Sequence, residues 1–325
     1  MGTKLIVTVD AEENWEWPGS SKWPDTANIR FIPELQKDIF DSIGVRPVYL
    51  VTYPVATDKE SASILKDIYY SGRCEIGAHL HHWNVPSSTR DDVIAKSAQC
   101  RLSRELEKHK IELLTRKLEE SFGVRPVTFR AGRWAADGET IEILAELGYK
   151  IDVSVIPLTE YSCEGGADFF TAPFTPYYPS YNDICRPSAG KNNNLLEVPV
   201  TCGFYNKDFE RWREVHMRLR LLPKWLHLVG LFTLFGMPPI IKLSPESADL
   251  GQMKNLVNAV IERGGGILHL TFHSSLCMTG ACPYSRTDKE RTLRIENLKS
   301  ILYYILSKKG VESFTAGEVY SSIHG

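Results

Sequence analysis

Twice in this chain a helix-periodic segment ends on glycine and an apolar run of strand length opens on proline a few residues later: Gly44-Val45-Arg46-Pro47 and Gly123-Val124-Arg125-Pro126. Glycine tolerates the left-handed backbone that closes a helix, and proline fits the start of a strand, where no amide donor is needed. Apolar runs alternate with helical segments on both sides of this punctuation, so the chain reads as βαβ units around a parallel sheet, an α/β fold. Strands are expected at 4–9, 46–52, 74–78, 126–130 and 150–154, then at 195–200 and 267–272. Helical periodicity covers 31–43, 61–70, 90–121, 139–147, 246–262 and 287–309. About seven strands suffice to close a barrel-like sheet. The repeated punctuation is local βα grammar and does not make this a repeat protein.

With 325 residues, 43% of them hydrophobic, the chain can bury one large core, and a single elaborated domain over 1–325 is expected. A net charge of -2, with scattered Lys and Arg, supplies no electrostatic footprint for nucleic acid. Seven cysteines without CxxC spacing fit reduced thiols; Cys277 and Cys282 are spaced to pair, but inert thiols are the expectation. Residues 156–194, rich in Pro, Gly, Tyr, Ser and Asn, are expected to form a long loop region over the rim. The sequence passes from Met1 directly into a strand, without a basic and apolar leader, which predicts work in the cytoplasm. An apolar helical insertion is expected around 205–245. Its core, 219–243, is bracketed by Pro223, Pro238 and Pro239 and is shorter than the roughly 20 residues of a membrane span. It reads either as a helix packed on the barrel or as a peripheral contact with the inner membrane face, since Arg211, Arg213, Arg218, Arg220 and Lys224 precede it.

The chemistry sits where strands give way to loops, the rim on which parallel α/β folds hold their reactive groups. The first strand ends in Asp10-Ala11-Glu12, and period-two alternation puts both carboxylates on one face. Glu13 and Glu16 follow on the loop and are less well placed. An acidic cluster alone can be a solvated turn or a helix cap. His79-Leu80-His81-His82 at the end of another strand sharpens the case, because neutral imidazole is a frequent metal ligand and three in four residues is hard to explain as surface composition. His79 and His81 can face one way, leaving His82 for a supporting or substrate-binding role. Arg130 ends a strand before Ala131-Gly132-Arg133-Trp134. There an arginine can orient a carboxylate, and Trp134 offers an apolar face of sugar size. Asp152 interrupts an apolar strand, which calls for a buried partner such as an imidazole. His273 ends the last long strand, the place for a general acid, while His269 further down it reads as a core residue. Glu197, inside a strand and followed by a proline-containing run, is a candidate supporting group or a ligand of a substrate hydroxyl. Ser274 and Ser275 lack a Gly-x-Ser-x-Gly elbow.

The order of these residues, Asp10 with Glu12, the His79 cluster, Arg130, Asp152 and His273, resembles the polysaccharide deacetylases of carbohydrate esterase family 4, the NodB-homology fold, over nearly the whole chain. The resemblance implies a distorted (β/α)7 barrel and metal-dependent removal of acetyl groups from sugars. Asp10 matches the general base, the His79 group the metal histidines, Arg130 the arginine that orients the base, Asp152 the aspartate that tunes the catalytic histidine, and His273 that histidine. The chain departs from the family pattern in three places. Asp10-Ala11-Glu12 replaces two adjacent aspartates, which leaves Glu12 as the metal carboxylate. Trp83 stands where the second metal histidine is usual, which leaves His81 or His82 for that role. Ala131-Gly132-Arg133-Trp134 lacks the usual proline and aromatic. The set expected to bind metal is therefore Glu12, His79 and His81, holding Zn2+ or alternatively Co2+, Ni2+ or Mn2+, with Trp134 and His82 at the substrate. The implied substrate is an acetylated sugar of a surface-polysaccharide precursor, nucleotide- or lipid-linked. The alternatives are an amidase acting on a non-sugar acyl or cyclic amide, and a catalytically silent carbohydrate-binding homologue.

Overall fold

A computed structural model describes residues 2–15, 24–86, 98–162, 166–188, 194–220 and 237–324. Its centre is a curled parallel sheet. β1 (Thr3–Ala11) lies between β2 (Val48–Val51) and β11 (Ile267–His273), and the order continues from β2 through β3 (Glu75–Leu80), β4 (Thr128–Ala131) and β5 (Ile151–Asp152) to β8 (Leu196–Glu197). β12 (Val311–Ser313) also pairs with β1, at its lower end. Outside the sheet, β6 (Pro179–Ser180) and β7 (Asp183–Pro187) form a hairpin within the expected loop region, and β9 (Cys202–Gly203) pairs antiparallel with β10 (Ile241–Lys242). Among the described residues no ladder joins β8 to β11. Single bonds span the gap, Thr201 N–H to the His269 carbonyl (3.1 Å) and Thr271 N–H to the Leu243 carbonyl (3.2 Å). This is the distorted seven-stranded barrel expected from the sequence.

The expected strands all form, and β5 and β8 are shorter than their apolar runs. Pro199, which has no amide to give, stops the β8 run. Helices Lys59–Tyr70, Gly138–Glu146 and Asp288–Leu306 match their periodic segments, whereas Leu250–Glu262 starts later than the expected 246. Arg104–Phe122 covers only the later part of the expected 90–121, in which 90–97 lie outside the described residues and Gln99–Arg101 is a separate 3-10 turn. Each helix is opened by a side chain that accepts a first-turn amide: Asp58, Ser103, Asp137, Asp249 and Thr287. The segment expected as helical over 31–43 is helical throughout but irregular: the α turn Ile32–Leu35 passes into a π turn at Gln36–Phe40, where the buried Gln36 amide binds Tyr49 and Asp41, and then into a 3-10 turn at Asp41–Ile43. Gly44 and Gly123 both take φ +69 and close the preceding helical segments, as the punctuation requires. The six described cysteines are free thiols, Cys277 and Cys282 included. Among the described residues no helix is long and apolar enough to cross a membrane. Helix Phe209–Arg220 forms the start of the expected insertion; its apolar part over 221–236 lies outside the described residues.

Register decides which side chains face the barrel interior. Asp10 pairs with His273, Thr8 with Thr271, His79 with Arg130, Thr128 with Ile151 and Ile151 with Leu196, so these residues share the inner face. At the lower end that face is largely apolar, and helix Ala316–His324 plugs it: Ala316 and Val319 pack with Ile6, Val48, Leu50 and Leu196. The outer face, with Leu5, Val7, Val9 and Tyr49, is covered by the helices. The site's polar inner residues gather at the upper end, where the carboxyl ends of the strands meet; the lower end keeps one polar pair, Glu75 with Thr128, which the Gly317 N–H also joins.

Candidate active site

Glu12, His79 and His81 converge at that end. Glu12 Oε2 lies 3.3 Å from His79 Nε2 and 3.2 Å from His81 Nε2, and one donor atom from each residue falls within 4.8 Å of the others. Both imidazoles are oriented from behind. His79 Nδ1 donates to the Arg130 carbonyl (3.1 Å) and His81 Nδ1 to Glu13 Oε1 (2.6 Å), which turns both Nε2 atoms toward Glu12. The other Glu12 oxygen accepts from Trp15 Nε1 (2.7 Å). Burial pushes the Glu12 carboxyl up, but His273, His79 and His81 outweigh it and hold it well below the usual range. For His81, burial pulls down and Glu13 and Glu12 more than offset it, to about 10. Two imidazoles with their Nε2 atoms aimed at an ionised carboxylate are the donor set of a divalent cation. The residues present fit such an ion.

Asp10 stands beside this cluster, its Oδ2 4.0 Å from His79 Nε2, and its Oδ1 takes a hydrogen bond from Arg130. Arg130 is fully buried and spends its other donors on Thr271 Oγ1 (2.8 Å), Thr8 Oγ1 (2.8 Å) and the Val153 carbonyl (3.1 Å). Burial alone would raise the Asp10 carboxyl, but Arg130, His79 and His273 keep it below its ordinary value. His269, under Arg130, is a core residue as expected, with its ring bound to Thr8 and the Val198 carbonyl; burial and Arg130 hold it neutral at about 3.

His273 Nε2 lies 3.6 Å from Asp10 Oδ2. Its partner at Nδ1 is Glu246, not Asp152. Both Glu246 oxygens approach Nδ1 (3.0 and 2.9 Å), and Oε1 also accepts from the His273 backbone N–H (2.9 Å). Burial pulls the imidazole down, but Glu246, Glu12 and Asp10 raise it to about 9. Asp152 is excluded by parity: it pairs in register with Phe129 and Glu197, one residue out of step with Arg130, and so faces away from the barrel interior. There it accepts from Ser154 Oγ (2.6 Å) and shares a proton with Glu197, whose carboxyl burial and Asp152 push well above the usual range. Glu197 is thereby bound to Asp152 and does not line the site.

The site opens into a cavity of about 330 Å³ walled by Trp15, Trp83, Trp134, Tyr161 and Tyr284. Trp134 is there as expected, its ring under the Arg130 guanidinium (4.7 Å). Arg133 and Trp134 both have left-handed backbone (φ 55 and 57), a strained pair of about 1–3 kcal/mol each that holds the indole over the site. Gly132 before them is obligatory: a Cβ there would collide with the Leu80 carbonyl and come within 2.8 Å of the His81 ring. His82, expected at the substrate, points away from the cavity. It is buried edge-on to Trp83 (5.1 Å), and its carbonyl accepts from Lys110 (2.9 Å). Two site residues carried no strong sequence signal. Glu13 faces the cavity because the chain leaves the strand after Ala11, which breaks the alternation; Thr52 Oγ1 (3.0 Å) and Asn84 hold it against His81. Glu246 arrives on the loop after β10, which Arg294 fixes by donating to the Pro245 carbonyl (2.8 Å).

No protein-family model matches the sequence, and no curated protein does either. Solved structures do. One titled a putative polysaccharide deacetylase from Mycobacterium smegmatis is similar over 100% of this chain and 91% of its own, at 16% identity and a TM-score of 0.56. The chain has the fold of the polysaccharide deacetylases. A probable polysaccharide deacetylase from Pseudomonas aeruginosa PAO1 matches over 99% and 90% at 14% identity with a TM-score of 0.57. A PuuE allantoinase matches over 99% and 90% at 14% identity with a TM-score of 0.55. All three lie at low identity, so the likeness is one of fold.

Proposed function

We propose that this protein is a metal-dependent deacetylase that hydrolyses an acetyl group from a sugar of a surface-polysaccharide precursor, nucleotide- or lipid-linked. The observation that carries this reading is the convergence of Glu12, His79 and His81 beside two buried ion pairs, Asp10 with Arg130 and His273 with Glu246. Glu12, His79 and His81 would hold a divalent ion, Zn2+ in the first place. What such an ion supplies is a Lewis acid for the acetyl carbonyl and a water made acidic near neutral pH. Asp10, kept ionised by Arg130, takes the water proton at Oδ2, the oxygen not bound to Arg130. The water oxygen adds to the acetyl carbon. His273, clamped at Nδ1, presents Nε2–H to the leaving nitrogen or oxygen and protonates it as the C–N or C–O bond breaks. Acetate and a free amino or hydroxyl sugar result. The indole and phenol faces of the cavity wall suit the apolar faces of a sugar ring.

A second reading, hydrolysis of a non-sugar acyl or cyclic amide, is favoured by the allantoinase among the similar structures. Acetate release from acetylated nucleotide sugars and lipid-linked glycans, beside a panel of simple and cyclic amides, decides between them. The expected result is acetate from sugars that stops on chelation and returns with Zn2+. Faster opening of a cyclic amide than of any sugar acetyl group, or chelator-insensitive turnover, would overturn the proposal.

A further inference from the structure

Lys242 ends β10 on the cavity wall. Its ammonium makes no hydrogen bond or ion pair with any described residue; what it touches is the Trp134 ring, 5.5 Å from the centroid. Of the acidic groups that act on it, Glu246 is already committed, with both oxygens on His273. Asp10 is likewise committed to Arg130. An ammonium carries three donors, and keeping them unpaired in a part-buried wall is costly. Burial accordingly pulls this lysine below its ordinary value, with Glu246 opposing.

Neighbouring geometry gives the unpaired charge a direction of use. The strained Arg133–Trp134 backbone fixes the indole over which the ammonium lies, so a substrate entering the cavity past that ring would bring one of its substituents to the charge. We propose that Lys242, with the Trp134 ring, recognises an oxyanion carried by the substrate, a carboxylate or a phosphate on the acetylated sugar. This rests on the deacetylase reading of the same site. It deepens that reading by making the substrate anionic, as phosphate-linked precursors and uronic acids are and neutral glycans are not. The competing role, simple charge balance for an acid-rich cavity, would act on every substrate alike.

The test uses three probes on the full chain: N-acetylglucosamine, its 1-phosphate and the corresponding uronic acid, assayed by acetate release with Zn2+ present. The native protein should prefer at least one anionic probe by about tenfold or more in kcat/KM, carried by KM, as expected for a charge-assisted contact. Lys242→Met should collapse that ratio toward one and Lys242→Arg should restore part of it. Whether phosphate or carboxylate gains more identifies the source of the anion. A ratio near one in the native protein, or one that survives Lys242→Met, overturns the proposal. Calorimetry with glucosamine, glucosamine 1-phosphate and glucosaminuronate separates the two layers. If no sugar releases acetate but anionic binding is present and lost in Lys242→Met, the subsite stands and the deacetylase reading falls. If anionic and neutral sugars bind the native protein equally, the subsite falls.

Discussion

Replacing Glu246 by glutamine isolates the electrostatic part of the His273 site, because the amide oxygen can still accept from Nδ1 and from the backbone N–H. Burial lowers the His273 pKa, and Glu246, Glu12 and Asp10 together raise it from 6.5 to about 9. Since burial opposes them, the upward contributions exceed the net rise, and Glu246 is the largest of them. Its loss should therefore lower the imidazolium pKa by at least about one unit, ~1.4 kcal/mol. As the proton donor, His273 is active when protonated, so activity is present below its pKa and lost as pH rises through it. The assay is kcat/KM for acetate release from about pH 6 to about 10. The basic limb of Glu246→Gln should fall at least about one unit below the native limb. A uniform drop in rate with an unmoved basic limb would refute the assignment of Glu246 as the residue that tunes His273.

Arg130→Met removes the partner of a buried carboxylate and four hydrogen bonds, and should destabilise the metal-free protein by about 3–5 kcal/mol in urea unfolding; a loss under about 1 kcal/mol would mean Asp10 is not held ionised by it. Glu197→Gln keeps a donor toward Asp152 while removing the ionisation. The raised carboxyl contributes stability that is complete below its unfolded value near 4.5 and is lost as pH rises toward the folded value. The variant should thus gain on the native protein above pH 4.5, by up to roughly 1.4 kcal/mol per pH unit until the folded pKa is passed. Equal stability differences at acid and alkaline pH would contradict the shared-proton pair.

Much of the site was legible because alternation is a local property. Asp10 with Glu12, and His79 with His81, each two apart at a strand end, fall on one face, and the same rule turns His82 away. The helix ends at Gly44 and Gly123, and the strands that follow them, came from glycine and proline in the same local way. Asp152 and Glu197 were misplaced because a strand's own sequence does not say which of its faces is inner. That is fixed by its neighbour, here by Thr128 pairing with Ile151, and a shift of one residue moves the carboxylate across the sheet. Glu246 was invisible for a related reason. It meets His273 only because the chain after β10 is bound to β11 through the Leu243 carbonyl, a contact between segments that no local pattern encodes. Glu13 was set aside as a loop residue, because alternation says nothing of where side chains point once the strand has ended at Ala11.

The most direct test of the account is metal content. After saturation with Zn2+ and dialysis, elemental analysis of the native chain should find one tightly held ion, and Glu12→Gln, with circular dichroism confirming its fold, should retain little or none. Equal metal in the folded variant and the native chain would contradict the assignment of Glu12, His79 and His81 as the centre of the chemistry.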